Sequence, residues 1–372
     1  MHAVKRFVLL TTLAAGAGFA VFANAGSYKV TDLSETFPQA FGGFKINNAD
    51  QLMRAAAGDG VSLPNTYTFI YGNGVMTRIE TPLSVAAQGA SINDLGDVTG
   101  TMDDPTGNSH VFQYRGGIFT DLHAALGSLA GYRSCGAGIN NAGQVAGYTT
   151  YHTSLGFVVS QGNATGLDGT GSEATISGIN NLGQITGTYR SSYGSFHAFL
   201  YSNGSKIDLG SFTPTTTFDP NNSSTGVSVN DAGQVVGSAK VKDVGEHAFL
   251  YQSAAMADMG TLGGANSYPM QINNAGVVVG KANIENSIDF HAFVYSDGTM
   301  TDLNSLIDAS DPLVATIVLT DATGINGQGA IVATGKDQRA GGVDRYYLCN
   351  HNLCGNERTE PAFLATLVEA II

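Results

Sequence analysis

Apolar segments separated by Asn- and Gly-containing turns recur along the chain with a long period. An aliphatic residue followed by Asn appears seven times: Ile46-Asn47, Ile92-Asn93, Ile139-Asn140, Ile179-Asn180, Val229-Asn230, Ile272-Asn273 and Ile325-Asn326, spaced 40 to 53 residues apart. In five copies the run continues as x-x-Gly-(Gln/Asp/Val)-(Val/Ile)-x-Gly, as from Asn140 to Gly147. Apolar flanks make Asn-(Asn/Asp)-x-Gly a hairpin turn, with Gly where φ must be positive. An aromatic-rich strand follows, His197-Ala198-Phe199-Leu200-Tyr201 being one copy, with others starting at His110, His247 and His291. After a second tight turn, such as Ser202-Asn203-Gly204, comes a strand ending in Asp-Leu or a relative, as at Ile207-Asp208-Leu209. Two hairpins per unit give four short strands. Four-stranded antiparallel sheets at this period are the blades of a β-propeller.

The chain ends predict how the ring closes. Tyr28-Lys29-Val30-Thr31-Asp32-Leu33 is a final-strand motif without the three strands that should precede it, and the last repeat lacks its own final strand. Pairing this first strand beside Arg345-Tyr346-Tyr347-Leu348 completes the last blade and removes an exposed edge. The expectation is an all-β, seven-bladed propeller of four-stranded antiparallel blades over residues 26–350, with six or eight blades as alternatives. An open solenoid would need caps, and none is evident.

The strings His-Ala-Phe-Leu-Tyr, Ile-Asn-Asn-Ala-Gly-Gln-Val-Val-Gly and Met259-Gly260-Thr261-Leu262-Gly263-Gly264 resemble the bacterial HAF family of probable extracellular repeats. The resemblance covers nearly all of the chain after residue 25 and implies secretion and a propeller-like fold. It implies no reaction. Three repeats depart from it, with Tyr67-Thr68-Phe69-Ile70-Tyr71, Gly156-Phe157-Val158-Val159 and Arg345-Tyr346-Tyr347-Leu348 in place of the His-Ala-Phe strand.

Composition fits this reading. Gly accounts for 49 of 372 residues, while only 13% are charged and 43% are apolar, the reverse of a disordered chain. No Gly-x-y period indicates collagen. Residues 1–25 read as a signal peptide: Lys5 and Arg6, an apolar stretch from Phe7 to Phe22, and an Ala23-Asn24-Ala25 cleavage site. Cleavage after Ala25 would place the protein in the periplasm or outside the cell. It would also take two positive charges from a chain already at −13. So acidic a chain is a poor partner for nucleic acid or anionic lipid, which need Lys/Arg clusters. No later stretch is long enough to span a membrane. Residues 351–372 form a separate tail, read as a short helix starting near Thr359-Glu360-Pro361.

Several residue sets invite a chemical reading. In an oxidising compartment Cys349 and Cys354 are a disulfide candidate, although two unbonded cysteines fit equally well. The repeated His110, His197, His247 and His291 suggest acid/base or metal chemistry, but equivalent positions in successive blades fan out around a ring. They read as structural hydrogen-bonders, as do Asn140, Asn180, Asn230 and Asn273. No nucleophile elbow, zincin motif or phosphate loop occurs. No cofactor is expected, with Asp219-Pro220-Asn221-Asn222-Ser223 a weak calcium candidate.

Both turn types fall on one face, so the variable connections gather on the other. These bring Asp103, Asp104, Tyr189, Arg190, Tyr193, Phe218, Asp219, Asp243, Glu285 and Asp289 to a candidate binding rim. The function expected is non-enzymatic binding of an extracellular protein or polysaccharide. A glycan hydrolase or lyase with carboxylates at the channel mouth is one alternative, and a structural or adhesive surface protein is another. The oligomeric state is open.

Overall fold

The computed structural model describes residues 27–34, 36–37, 42–57, 66–81, 86–131, 133–150, 154–167, 173–214 and 218–351. They form seven four-stranded antiparallel sheets arranged in a ring, a seven-bladed β-propeller. The signal-peptide reading, Cys354 and the C-terminal helix fall outside the described residues.

Blade 5 shows the common plan. Strands a (Ser224–Val229), b (Val235–Val241), c (Gly245–Gln252) and d (Ala255–Asp258) pair in sequence order, with strand a innermost. Strands a and c run the same way, so the a–b and c–d turns share one face, called here the turn face. The b–c loops and the connections between blades share the other, the loop face. Blade 7 takes its strands a to c from Ile317–Ile325, Ile331–Asp337 and Val343–His351, and its strand d is Tyr28–Asp32. Tyr28 lies opposite His351 and Asp32 opposite Tyr347, so the N-terminal strand closes the ring as the repeat arithmetic requires.

The core is divided among seven clusters, each filling the gap between two neighbouring blades. Ala198, Leu200 and Leu209 of blade 4 pack with Val229, Val235, Ala239 and Phe249 of blade 5; Leu33, Val332 and Leu348 of blade 7 pack with Phe44, Leu52 and Phe69 of blade 1. Successive strand residues point to opposite faces. A strand-c segment such as Ala248-Phe249-Leu250 therefore buries both, Phe249 toward blade 4 and its two neighbours toward blade 6. The three departing repeats keep the same anchor, since Phe69, Phe157 and Tyr347 are buried where Phe112, Phe199, Phe249 and Phe293 sit elsewhere.

The second Gly of the repeat has a steric cause. Strand a carries a register shift in blades 2 to 6, between Gly226 and Ser228 in blade 5. Such a bulge presses its backbone against strand b. A Cβ on Gly237 would lie 1.9 Å from the Thr225 carbonyl oxygen and 2.7 Å from the Phe249 ring. The matching contacts at Gly100, Gly147, Gly187 and Gly280 are 2.1, 2.2, 2.0 and 2.1 Å. Blade 1 pairs only Lys45 and Ile46 with strand b, and it places Arg54 at the equivalent position. That guanidinium lies 3.6 Å from the centre of the Tyr346 ring, across the seam between blades 7 and 1.

Candidate functional site

The innermost strands bring the seven anchor asparagines to the channel wall, all of them buried. Asn180 shows what each does. Its Oδ1 accepts from the backbone N–H groups of Leu182 and Gln184, which shapes the turn. Its Nδ2 donates to Gln184 Oε1 at 2.7 Å and to the carbonyl of Asn230, the next anchor, at 2.7 Å. Every anchor repeats the last bond. Asn47 donates to the Asn93 carbonyl, Asn93 to Asn140, Asn140 to Asn180, Asn230 to Asn273 and Asn273 to Asn326, at 2.8 to 3.0 Å. Asn326 closes the circle on the Asn47 carbonyl at 3.4 Å, and its Nδ2 also reaches Asp50 Oδ1 at 2.7 Å. Asp could shape the same turn but has no N–H for the next blade. The ring therefore needs Asn.

A second circle runs through the next residue of each turn. The Asp94 carboxylate accepts from the Asn48 backbone and from the side-chain amides of Asn48 and Asn141. Asp231 does the same between Asn181 and Asn274. The polar groups at this mouth of the channel are thus spent on holding blades together. The sequence reading took these turns as local and missed their convergence. The signal was present, in the strict Asn at seven anchors beside a mixed Asn, Asp or Gly position.

The repeated histidines sit far from that axis, each against the Asp eleven residues on, in strand d of its own blade. His110, His197, His247 and His291 approach Asp121, Asp208, Asp258 and Asp302 through Nδ1 at 2.9, 3.0, 2.9 and 2.6 Å. The departing repeats change both partners together. Blade 7 has Arg345 against Asp32 at 2.8 Å, and blade 1 has Arg78 over the Tyr67 ring at 5.2 Å. Blade 3 has Leu155 and Gly166 at the two positions. His197 is raised above its usual pKa by the hydrogen bond to Asp208, against the opposing effect of burial.

The rim residues lie on the loop face with one exception. Tyr189 is only 6% exposed, because it alternates in phase with Ile185 and so faces blade 3. Its place on the rim is corrected accordingly. Asp104 accepts from Thr106 and Asn108; the Asn108 backbone bond, with the Thr106 hydroxyl, holds its carboxyl down at about 2. Asp219 Oδ1 accepts from the Asn221 backbone, and Asn222, fully buried, accepts the Ser211 hydroxyl, so these oxygens of the calcium candidate serve their own loop. Asp103, Asp243, Glu285 and Asp289 are spread over the loops of blades 2, 5 and 6. The segments that carry Arg190, Tyr193 and Phe218 meet at Gly194. Arg190 is paired with Glu173 at 3.0 Å and donates to the Gly194 carbonyl, while the Phe218 ring lies against Gly194. Tyr193, Phe196 and Phe218 are 47, 44 and 67% exposed, and Phe196 was not singled out from the sequence. Cys349 is buried beside Tyr28 and Tyr347, which pushes its thiol up to about 12, and the pairing with Cys354 lies outside the described residues.

This architecture defines a β-propeller with one polar, interlocked face and one variable face. No protein-family model matches the sequence, and no curated protein matches it. A chain of a mitotic checkpoint complex is similar in structure, with a TM-score of 0.50 and 11% identity over 92% of this chain and 98% of that one. A puromycin-hydrolysing peptidase of Mycobacterium tuberculosis matches at TM-score 0.48 and 11% identity over 80% of this chain, which spans 50% of the peptidase. A putative TolB of Agrobacterium tumefaciens matches at 0.42 and 12% identity, over 72% of this chain and 97% of that one. At such identities the likeness concerns the fold alone.

Proposed function

We propose that the protein is a secreted, HAF-like repeat propeller that binds an extracellular protein through the loop face of blades 4 to 6, acting by binding and not by catalysis. The observation that carries this reading is the difference between the two faces. Polar side chains at the turn-face mouth are consumed by the two hydrogen-bonded circles, and its exposed Leu95 and Leu182 stand on separate blades. The loop face instead exposes Tyr193, Phe196 and Phe218 on two adjoining loops, joined by the Ser195–Asp219 hydrogen bond, with Val244 and Ile288 on neighbouring tips at 54 and 90% exposure. Exposed aromatic and aliphatic groups ringed by charge are typical of protein recognition surfaces. Asp243, Glu285 and Asp289 add negative charge, which suits a partner with basic groups. The absence of Trp makes a polysaccharide the weaker partner, since Tyr193 would be the chief stacking group.

The test compares the wild-type chain with the combined variant Tyr193→Ser, Phe196→Ser, Phe218→Ser on extracellular-protein and glycan arrays. The expected result is loss of protein binding in that variant and full binding in Leu182→Ser, which alters an exposed residue of the turn face. Binding that survives the triple change contradicts the assignment, and loss confined to glycans replaces the protein partner with a polysaccharide.

A further inference from the structure

Inside the channel, just below the asparagine circle, lies a layer whose chemistry departs from sevenfold symmetry. Its residues lie two positions before the seven anchor asparagines: Lys45, Ser91, Gly138, Gly178, Ser228, Gln271 and Gly324. The four side chains other than glycine occupy one continuous arc, from blade 5 through blades 6, 7 and 1 to blade 2, with Gly324 in its middle.

The arc presents donors. Ser91 Oγ accepts the Ile139 N–H at 3.4 Å, Ser228 Oγ accepts the Ile272 N–H at 3.4 Å, and Gln271 Oε1 accepts the Ile325 N–H at 3.1 Å. Each side chain thus turns an oxygen to the neighbouring blade and keeps an O–H or N–H group for the channel. Neither those groups nor the Lys45 ammonium donates a hydrogen bond to another described residue. Around Lys45 itself the charge is unbalanced in the same sense, while Asp94 and Asp231 line the turn-face end of the same cavity. Asp321 of blade 7 binds Lys281 of blade 6 at 3.2 Å and lies in the field of Lys45, so two ammonium groups share one carboxylate. Burial pushes the Lys45 pKa down, as expected for an ammonium that lacks a close counterion. The cavity encloses about 350 Å³, within the range of small-ligand sites.

We propose that the channel is a binding site for a small carboxylate or oxyanion, held by Lys45 with hydrogen bonds from Gln271 and the hydroxyls of Ser91 or Ser228. Asp94 and Asp231 line the turn-face mouth of the same cavity, so the anion sits below them, at the level of Lys45 and Gln271. The site is separate from the aromatic patch of blades 4 and 5, and neither proposal depends on the other.

The experiment is calorimetric titration of the intact folded protein with phosphate, sulfate, acetate and citrate in a low-chloride zwitterionic buffer. At least one of these probes is expected to saturate a single site. Lys45→Met, which keeps the aliphatic stem, should weaken that binding at least tenfold. Gln271→Glu keeps the acceptor for the Ile325 N–H but replaces the donor by a charged oxygen, and should weaken it at least as much. Lys29→Gln, at the surface, and Phe218→Ser should leave it unchanged. Absence of saturable binding by all four probes overturns the proposal. So does binding that either Lys45→Met or Gln271→Glu leaves intact.

Discussion

The amide of Asn180 makes four hydrogen bonds with one planar group, and they divide among three jobs. Two shape its turn, one holds Gln184, and one reaches the next blade. Asn180→Asp keeps the turn but loses both donors and sets a carboxylate against the Asn230 carbonyl in a buried site. Breaking such a network typically costs ~2–4 kcal/mol. Denaturant unfolding is expected to show a loss of this size, and a change within error would mean that the circle does not hold the blades. His197 carries a pH signature. Its folded pKa is raised, first by the hydrogen bond to Asp208 and against the pull of burial. On the Asp208 side burial acts upward, but the bonds from His197, Gly210 and Tyr189 win and lower it. The pair therefore stabilises the fold most fully between the ordinary carboxylate and histidine values of ~3.9 and ~6.5, and this contribution fades as pH rises through the raised His197 value or falls through the lowered Asp208 value. An NMR titration is expected to place the His197 midpoint above that of an unperturbed histidine, and Asp208→Asn to bring it down; a midpoint at or below the ordinary value would contradict the pairing. The turn role of Asn180 was legible in sequence, because its geometry is local. Its fourth bond was not, since the partner is 50 residues away and no local rule encodes it.

Among the strands, repetition carried the information and its interruptions were harder to read. The second Gly of the repeat is plain in the sequence, but its cause is the bulge in strand a, which the sequence does not announce. Gly237→Ala would drive a Cβ into the Thr225 carbonyl oxygen, so strand a or b has to move. A cost of ~1–3 kcal/mol is expected from such overpacking. Gly204 is a contrast, because it needs a positive φ of 75° but has open space around it, so Gly204→Ala should cost only the ~1–2 kcal/mol of left-handed backbone strain and less than Gly237→Ala. Equal losses for the two changes, measured by denaturant unfolding, would contradict the steric account. The departing repeats kept their blades because the buried position was conserved in kind, as Phe69, Phe157 and Tyr347 show, while the outer pair changed partners together. Tyr189 was misplaced on the rim because position in a variable connection was weighed above strand alternation.

For the whole molecule, stability is shared by seven interfaces, and the ring is only as sound as its seam. The seam between blades 7 and 1 has the longest anchor bond, at 3.4 Å, and is reinforced by Asp50 and by Arg54 stacked on Tyr346. Blade number and closure were legible because they follow from counting repeats and finding one strand missing at one end and present at the other. The donor arc inside the channel was not legible, because it depends on which residues a closed ring brings to a common height. Closure by the N-terminal strand is the claim on which the rest depends, and native Cys349 offers a direct test. Val30 lies opposite Cys349, and its N–H points away from that strand to Asp311. They form a non-hydrogen-bonded pair, whose side chains approach closely enough for a disulfide. In a Cys354→Ser background, Val30→Cys should oxidise to a single bridge between the introduced thiol and Cys349, seen by peptide mapping of the folded protein. Two thiols that remain free under oxidising conditions would contradict the closed seven-bladed ring.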